Sequence, residues 1–356
     1  MRSWTSTGAF SLTDNLVAVL AGPDEPPRLE QRPRPEPGRG EVLVRVEACG
    51  LCGSDRLLQD GGFGLDVFPV IPGHEAAGTV AAFGPEQPQD SGLRVGDAVA
   101  LHYLDSDPDG PWARLGIPNL GRVTRMGVDV DGALARFVVR PARTLVRPCS
   151  HIPADRLAVL TDALATPHHA IHSVGRVQPG EHVVVLGLGG IGSGAVQVAA
   201  AAGAEVTALG RSPRSRQLAA RLGAHHVLEV GSTTAEEVEV LTGGGANLVV
   251  VCTEARDAAV LAVACARPRG RVVQVAASIE PLGLRSVDLI WKEVSVTGSR
   301  GSTTEDIRAV QDLYLSGLLQ LEHLLDDQAP LTDVAAAFQR LRDGGSTRIL
   351  LLPWAT

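Results

Sequence analysis

The chain has 356 residues and a formal net charge of −8, enough length for two domains and a charge balance that argues against a nucleic-acid or anionic-membrane surface. Lys292 is the one lysine among the 32 basic residues, and it lies between Trp291 and Glu293, so there is no Gly-Lys-Ser/Thr phosphate loop, and Schiff-base chemistry would rest on this residue alone. Tyr103 and Tyr314 are followed four positions later by Asp107 and Leu318, which excludes the Tyr-x-x-x-Lys pair of short-chain dehydrogenases. No apolar run reaches membrane-spanning length and no signal-like segment opens the chain, so a soluble cytoplasmic protein is expected. Five cysteines, Cys49, Cys52, Cys149, Cys252 and Cys265, are an odd number and point to free thiols or metal ligands rather than a disulfide framework.

Up to about residue 160 the pattern is one of short alternating strands, at 41–48, 78–83, 97–101 and 135–139, broken by Gly and Pro clusters. An irregular β-rich domain is expected there. Residues 105–131 are polar and rich in Gly, Asp and Pro, which predicts a long loop with a functional or packing part. Within this half, Cys49-Gly-Leu-Cys52-Gly-Ser54-Asp55 is followed by Gly73-His74-Glu75. Thiolate, imidazole and carboxylate are suitable zinc ligands, and a catalytic zinc keeps three protein ligands and one exchangeable position. The Cys-x-x-Cys spacing also fits half a zinc knuckle or a redox pair, but no second pair follows and the surroundings are not thioredoxin-like.

From about residue 165 strands and helices alternate: strand 182–186, helix 191–202, strand 205–209, helix 215–222, an extended stretch 226–229, then strands 248–252, 271–276 and 294–298. A helix is expected over 304–316 and a last strand over 348–352. This alternation implies an α/β fold with a doubly wound parallel sheet. Gly187-Leu188-Gly189-Gly190-Ile191-Gly192 sits between the first strand and its helix. Gly187 permits the tight turn, Gly189 admits a pyrophosphate to the backbone, Gly192 lets helix and strand pack closely, and the helix N-terminus favours the phosphates. After the second strand an NAD site would carry Asp or Glu, whereas Gly210, Arg211 and Ser212 stand here; room and a guanidinium suit a 2′-phosphate and favour NADP(H).

Taken together, Cys52-Gly-Ser-Asp, Gly73-His74-Glu75 and the glycine loop, in this order over nearly the whole chain, resemble the zinc alcohol dehydrogenases of the medium-chain dehydrogenase/reductase superfamily. The resemblance implies a Rossmann coenzyme domain at 165–301 and a GroES-like catalytic domain formed by 1–164 and 302–356. It implies Cys52 and His74 as ligands of one catalytic zinc. Thr161-Asp162-Ala163 is similar to the NADP-dependent bacterial secondary alcohol dehydrogenases, which implies Asp162 as third ligand. Glu75 is expected as a mobile fourth ligand or a neighbour of the ligands, Asp55 as the residue orienting His74, and Ser54 as the start of a proton relay. Thr166 is implied beside the nicotinamide, Val275 and Ala276 at its carboxamide, and Arg348 at the pyrophosphate. Gly298-Ser299-Arg300 is expected to close the last strand.

Two departures are visible. No cysteine lies between Gly78 and Pro148, so the structural zinc of many members is expected to be absent, its lobe replaced by residues 105–131. Leu57 occupies the place of a relay histidine, and His102, His168 and His169 are candidate replacements. The expected function is zinc-dependent hydride transfer between NADP(H) and an alcohol or carbonyl, by a homodimer or homotetramer acting on a small molecule. Reduction of an activated C=C or C=N bond is the alternative within the family, and a non-catalytic NADPH-binding protein the alternative outside it. The apolar positions Leu313, Leu318 and Leu321 are read as core or subunit contact.

Overall fold

Two sheets organise the chain, and three of the expected site residues, Cys52, His74 and Asp162, come together where its halves join. The computed structural model describes residues 15–62, 64, 67–85, 92–344, 346 and 348–355. The first sheet has six parallel strands in the order His226–Glu229, Glu205–Gly210, His182–Leu186, Ala246–Val251, Ala266–Gln274, Ser295–Gly298. Its central strands are buried runs of Val and Leu, the composition of strands covered on both faces. Strand order reverses at His182–Leu186, which pairs with Glu205–Gly210 on one side and Ala246–Val251 on the other. That reversal opens a crevice at the carboxyl ends of the strands, the usual ligand position in such sheets.

The second sheet has seven strands, and its centre is the long strand Glu41–Leu51, which pairs antiparallel with Glu75–Phe83, Phe137–Pro141 and the C-terminal Ile349–Leu352. The chain thus leaves this β-rich half, builds the parallel sheet, and returns. The return sets Leu351 opposite Cys49 and brings Arg348 behind the Glu75 end of the neighbouring strand.

Between the halves runs a nearly continuous helical stretch, Ala154–Val174, that alternation of strand and helix did not reveal. It contains π turns at Leu160–Leu164 and His169–Val174 on either side of Ala165–His168. Pro167 lies within it and has no N–H to donate, so the regular ladder is interrupted. Asp162 is carried on the first π turn, a distortion common where a helix re-aims a functional side chain. Gly194 of the coenzyme helix Gly190–Ala201 packs against the carbonyl of Ala163, where any Cβ would collide, so this helix seats the turn that carries Asp162.

Residues 105–131 are not the featureless loop expected. Leu104–Ser106 and Val123–Arg125 pair as a two-stranded ribbon, with a short helix at Pro111–Arg114 and a 3-10 turn at Pro118–Leu120 between them. Helices Thr234–Thr242, Ala258–Cys265 and Val334–Arg342 were also unanticipated; Ala-Ala-Val-Leu-Ala-Val-Ala-Cys of the second has no polar face and so no legible period. Lys292 caps this helix, its ammonium donating to the carbonyls of Ala264 at 2.7 Å and Ala266 at 2.9 Å. The sole lysine is spent on structure. Among the described residues no helix is long and apolar enough to cross a membrane.

Candidate metal centre and coenzyme cleft

The strand Glu41–Leu51 runs straight into Cys52, whose extended backbone starts the helix Gly53–Gln59. Asp55, 1% exposed, accepts from the Cys52 N–H at 2.9 Å, from the Gly73 N–H at 3.2 Å, and faces His74 Nδ1 at 3.3 Å. One carboxylate therefore fixes the thiol-bearing turn and the imidazole ring together. Gly73 has φ +96°, and a Cβ there would press on Cys49 Sγ and Leu134, both at 2.8 Å, so only glycine delivers the chain to His74. With Nδ1 turned to Asp55, His74 presents Nε2 to the Asp162 carboxylate, 3.8 Å away.

Cys52, His74 and Asp162 are all buried, and one ligand atom from each lies within 4.8 Å of the others. Among the described residues this is the one such group of three. Asp162 Oδ1 accepts from the Thr166 hydroxyl at 2.8 Å. Burial alone would raise the Asp162 pKa, but His74 and Arg348 and the hydrogen bonds from Thr166 and Cys52 hold it below the usual carboxylate range. A soft thiolate, an imidazole and an ionised carboxylate, closed off from bulk water, form a donor set that fits zinc. Cys49 is not part of it: burial, reinforced by the charge of Asp55, pushes its thiol well up, and its Sγ lies by its own strand and Gly73.

The expectation for Arg348 is corrected here, and of the two readings of Glu75 the structure has the one beside the ligands rather than among them. Glu75 is not gathered with the three ligands; its Oε2 accepts from Arg348 Nη1 at 2.5 Å and from the Ala163 N–H at 3.0 Å. Arg348, expected at a pyrophosphate, is 2% exposed and sits behind the ligands, its Nη1 also 3.4 Å from Asp162. Against the cost of burial, the charges of Glu75, Cys52 and Asp162 keep this guanidinium ionised. The pair was missed, yet it left a signal: Gly50 interrupts a strand interior because Glu75 Oε1 occupies the space of a Cβ.

Ser54 Oγ lies 3.6 Å from Cys52 Sγ, at the mouth of the group. None of the candidate relay histidines is directed to it. His168 and His169 place their Nδ1 atoms on the two oxygens of Asp306, at 2.7 and 2.8 Å, where Asp306 also closes the capping box of the helix Thr304–Leu315. His102 Nε2 bonds the Ser302 carbonyl at 3.0 Å. Tyr103 was overlooked; its ring meets His74 edge-on at 5.4 Å. It follows the strand Ala98–Leu101 by two positions, and pairing of Leu101 with Ala76, two residues after His74, brings it there, a placement no local sequence signal discloses.

Burial pushes His102 down to about 4 from 6.5. The unfolded chain therefore takes up this proton first, and stability present above about pH 6.5 is lost as pH falls towards 4, by about 3 kcal/mol for this group. Urea midpoints measured between pH 7 and 4.5 are expected to fall more steeply for the wild type than for His102→Gln. Equal slopes would refute the assignment.

At the crevice, Gly187 has φ +94° and Gly192 packs on the Gly187 carbonyl with no room for a Cβ, while a Cβ on Gly189 would meet nothing within 4 Å. The helix Gly190–Ala201 begins with no side-chain cap, leaving the first-turn N–H groups, those of Gly190 and Ile191 included, open to a phosphate. Val275 and Ala276 both donate their N–H groups to the Val251 carbonyl at the carboxyl edge of the sheet. Beyond the second strand, Gly210 packs under Leu188 and Arg211 is exposed. Ser212 caps the helix Pro213–Arg221 by accepting from the Ser215 N–H at 3.1 Å. Arg216 braces the same loop, donating to the Arg211 carbonyl at 2.7 Å and pairing with Glu229 at 2.9 Å.

Residues 38–153 match the alcohol dehydrogenase GroES-like domain and residues 190–316 the zinc-binding dehydrogenase domain. An alcohol dehydrogenase of Rhizobium meliloti is 30% identical over 338 residues, 92% of this chain and 95% of that protein. A sorbitol dehydrogenase of Halalkalibacterium halodurans is 29% identical, over 91% of this chain and 95% of its own length. Among solved structures, a zinc-binding dehydrogenase from Sinorhizobium meliloti with NADP bound superposes with a TM-score of 0.84 at 26% identity, covering 95% of this chain and 99% of the other.

Proposed function

The chain belongs to the zinc-dependent alcohol dehydrogenases of the medium-chain dehydrogenase/reductase superfamily, and from that premise we propose that it moves hydride between NADP(H) and a secondary alcohol or its ketone. The observation that carries this reading is the buried group of Cys52, His74 and Asp162. These residues would hold the catalytic zinc, which when bound supplies Lewis acidity to an alcohol or carbonyl oxygen. Asp55 holds the imidazole in the tautomer that leaves Nε2 free, and Thr166 and Arg348 fix the carboxylate of Asp162. Ser54, 3.6 Å from Cys52 Sγ, starts the path of the hydroxyl proton in this reading. The glycine loop and the open helix N-terminus take the pyrophosphate, and the exposed Arg211 takes the 2′-phosphate. The relatives' names include alcohol and polyol dehydrogenases, which supports an alcohol over an activated alkene or imine.

Steady-state rates with NADPH and NADH across alcohols, polyols and ketones test this reading. Arg211→Asp is expected to lower the NADPH:NADH preference by about a hundredfold, since one charge-assisted bond is lost and a repulsion gained. An unchanged ratio would remove Arg211 from the coenzyme site. We further propose that the subunits associate through the coenzyme half. Ser295–Gly298 is an edge strand, and Ile290 and Trp291, which precede it in the chain, are 69% and 81% exposed.

A further inference from the structure

Three consecutive residues that lead out of the coenzyme sheet are gripped by three side chains of the catalytic half. Asn119, on the 3-10 turn Pro118–Leu120, donates from Nδ2 to the Arg300 carbonyl at 2.8 Å. The Tyr103 hydroxyl lies against Gly301, where any Cβ would strike it. His102 Nε2 donates to the Ser302 carbonyl at 3.0 Å. The orientation of Asn119 is determined, because Nδ2 also reaches His169 Nε2 at 3.0 Å, and a flipped amide would set Oδ1 against the Arg300 oxygen. Asn119 is 2% exposed, so these bonds are sheltered from water.

The gripped segment begins at the carboxyl edge of the sheet. Ser299 N–H donates to the Gln274 carbonyl at 2.8 Å, next to Val275. Arg211 follows a strand four positions across the same sheet, about 19 Å away at the spacing of adjacent strands. On the coenzyme reading above, a dinucleotide with its adenosine end by Arg211 would extend along this edge towards residues 299–302.

We propose that His102 and Asn119 are positioning residues, a clamp that fixes residues 300–302 against the catalytic half and so sets the nicotinamide end of the coenzyme over the metal group. The ribbon and turn of residues 105–131 thereby acquire a role in the reaction although they supply no ligand. The inference rests on the coenzyme reading above. It separates two halves of one ligand: the clamp acts on the nicotinamide end and leaves the adenosine end alone.

The test is equilibrium binding to the zinc-loaded full chain, with NADPH and 2′,5′-ADP as probes, or NADH and ADP if the wild type prefers them. Asn119→Leu and His102→Leu are each expected to weaken the dinucleotide about tenfold, the effect of one buried hydrogen bond lost with its partner left unpaired, while the adenosine fragment stays within about twofold. His102→Gln, whose amide can donate to the same carbonyl, is expected to bind the dinucleotide as the wild type does. Unaltered dinucleotide affinity in both leucine variants, or equal loss of dinucleotide and fragment, would overturn the clamp. A wild type that binds neither dinucleotide would overturn the coenzyme reading and the clamp with it.

Discussion

Asp162→Ala is expected to lower kcat/KM by about a thousandfold or more and to strip the metal, because it removes one of three donors and with it several kcal/mol of charge stabilisation. Asp162 lies on a buried π turn with its oxygens facing Thr166 Oγ1, His74 Nε2 and Arg348 Nη1. The rival role for this residue is purely structural, a carboxylate that balances Arg348. Asp162→Cys separates the two. A thiolate is a good zinc ligand, so this variant is expected to keep its metal and part of its activity, whereas a salt-bridge role would not be restored by it. Metal content and turnover measured together decide the matter: full activity in Asp162→Ala would end the ligand assignment.

Arg348→Met is expected to destabilise the fold by about 3–5 kcal/mol, the cost of leaving a buried charge without its partner. Arg348 is 2% exposed, and Glu75 and Asp162, both buried, converge on its Nη1. Removing the cation takes away the charge that opposes the effect of burial on Glu75, already pushed up to about 8, and leaves Asp162 without its guanidinium partner. Glu75→Gln in the same chain is expected to recover much of the loss, since the amide has no charge to bury. The comparison is a double-mutant cycle in urea, with a coupling of about 2 kcal/mol or more expected. Strict additivity would show that the pair does not act as a unit.

Much of this architecture is legible in the residues, because its signals are local. The glycine loop lies between a Val-rich strand and a small-residue helix, as its spacing requires. Cys52, His74 and Asp162 could be named because the short motifs around them resemble those of a known family, and of the glycines beside them Gly73 is the one its turn requires. Elements carried by long-range packing stayed hidden. The sequence of Arg348 does not disclose that the returning C-terminal strand sets it against Glu75, 273 positions away. Asn119 looked like one more polar residue in a loop, since its partners lie 50 and 181 positions off. The helical run Ala154–Val174 escaped because Pro167 reads as a helix breaker, although the π turns beside it absorb the interruption.

Metal content is the property on which the roles of Cys52, His74 and Asp162 depend most directly. Elemental analysis of the purified wild type and of Cys52→Ala, both dialysed against the same zinc-free buffer, is expected to find one zinc per chain in the first and close to none in the second. Zinc no higher in the wild type than in Cys52→Ala would contradict the assignment of Cys52, His74 and Asp162 as the centre of the reaction.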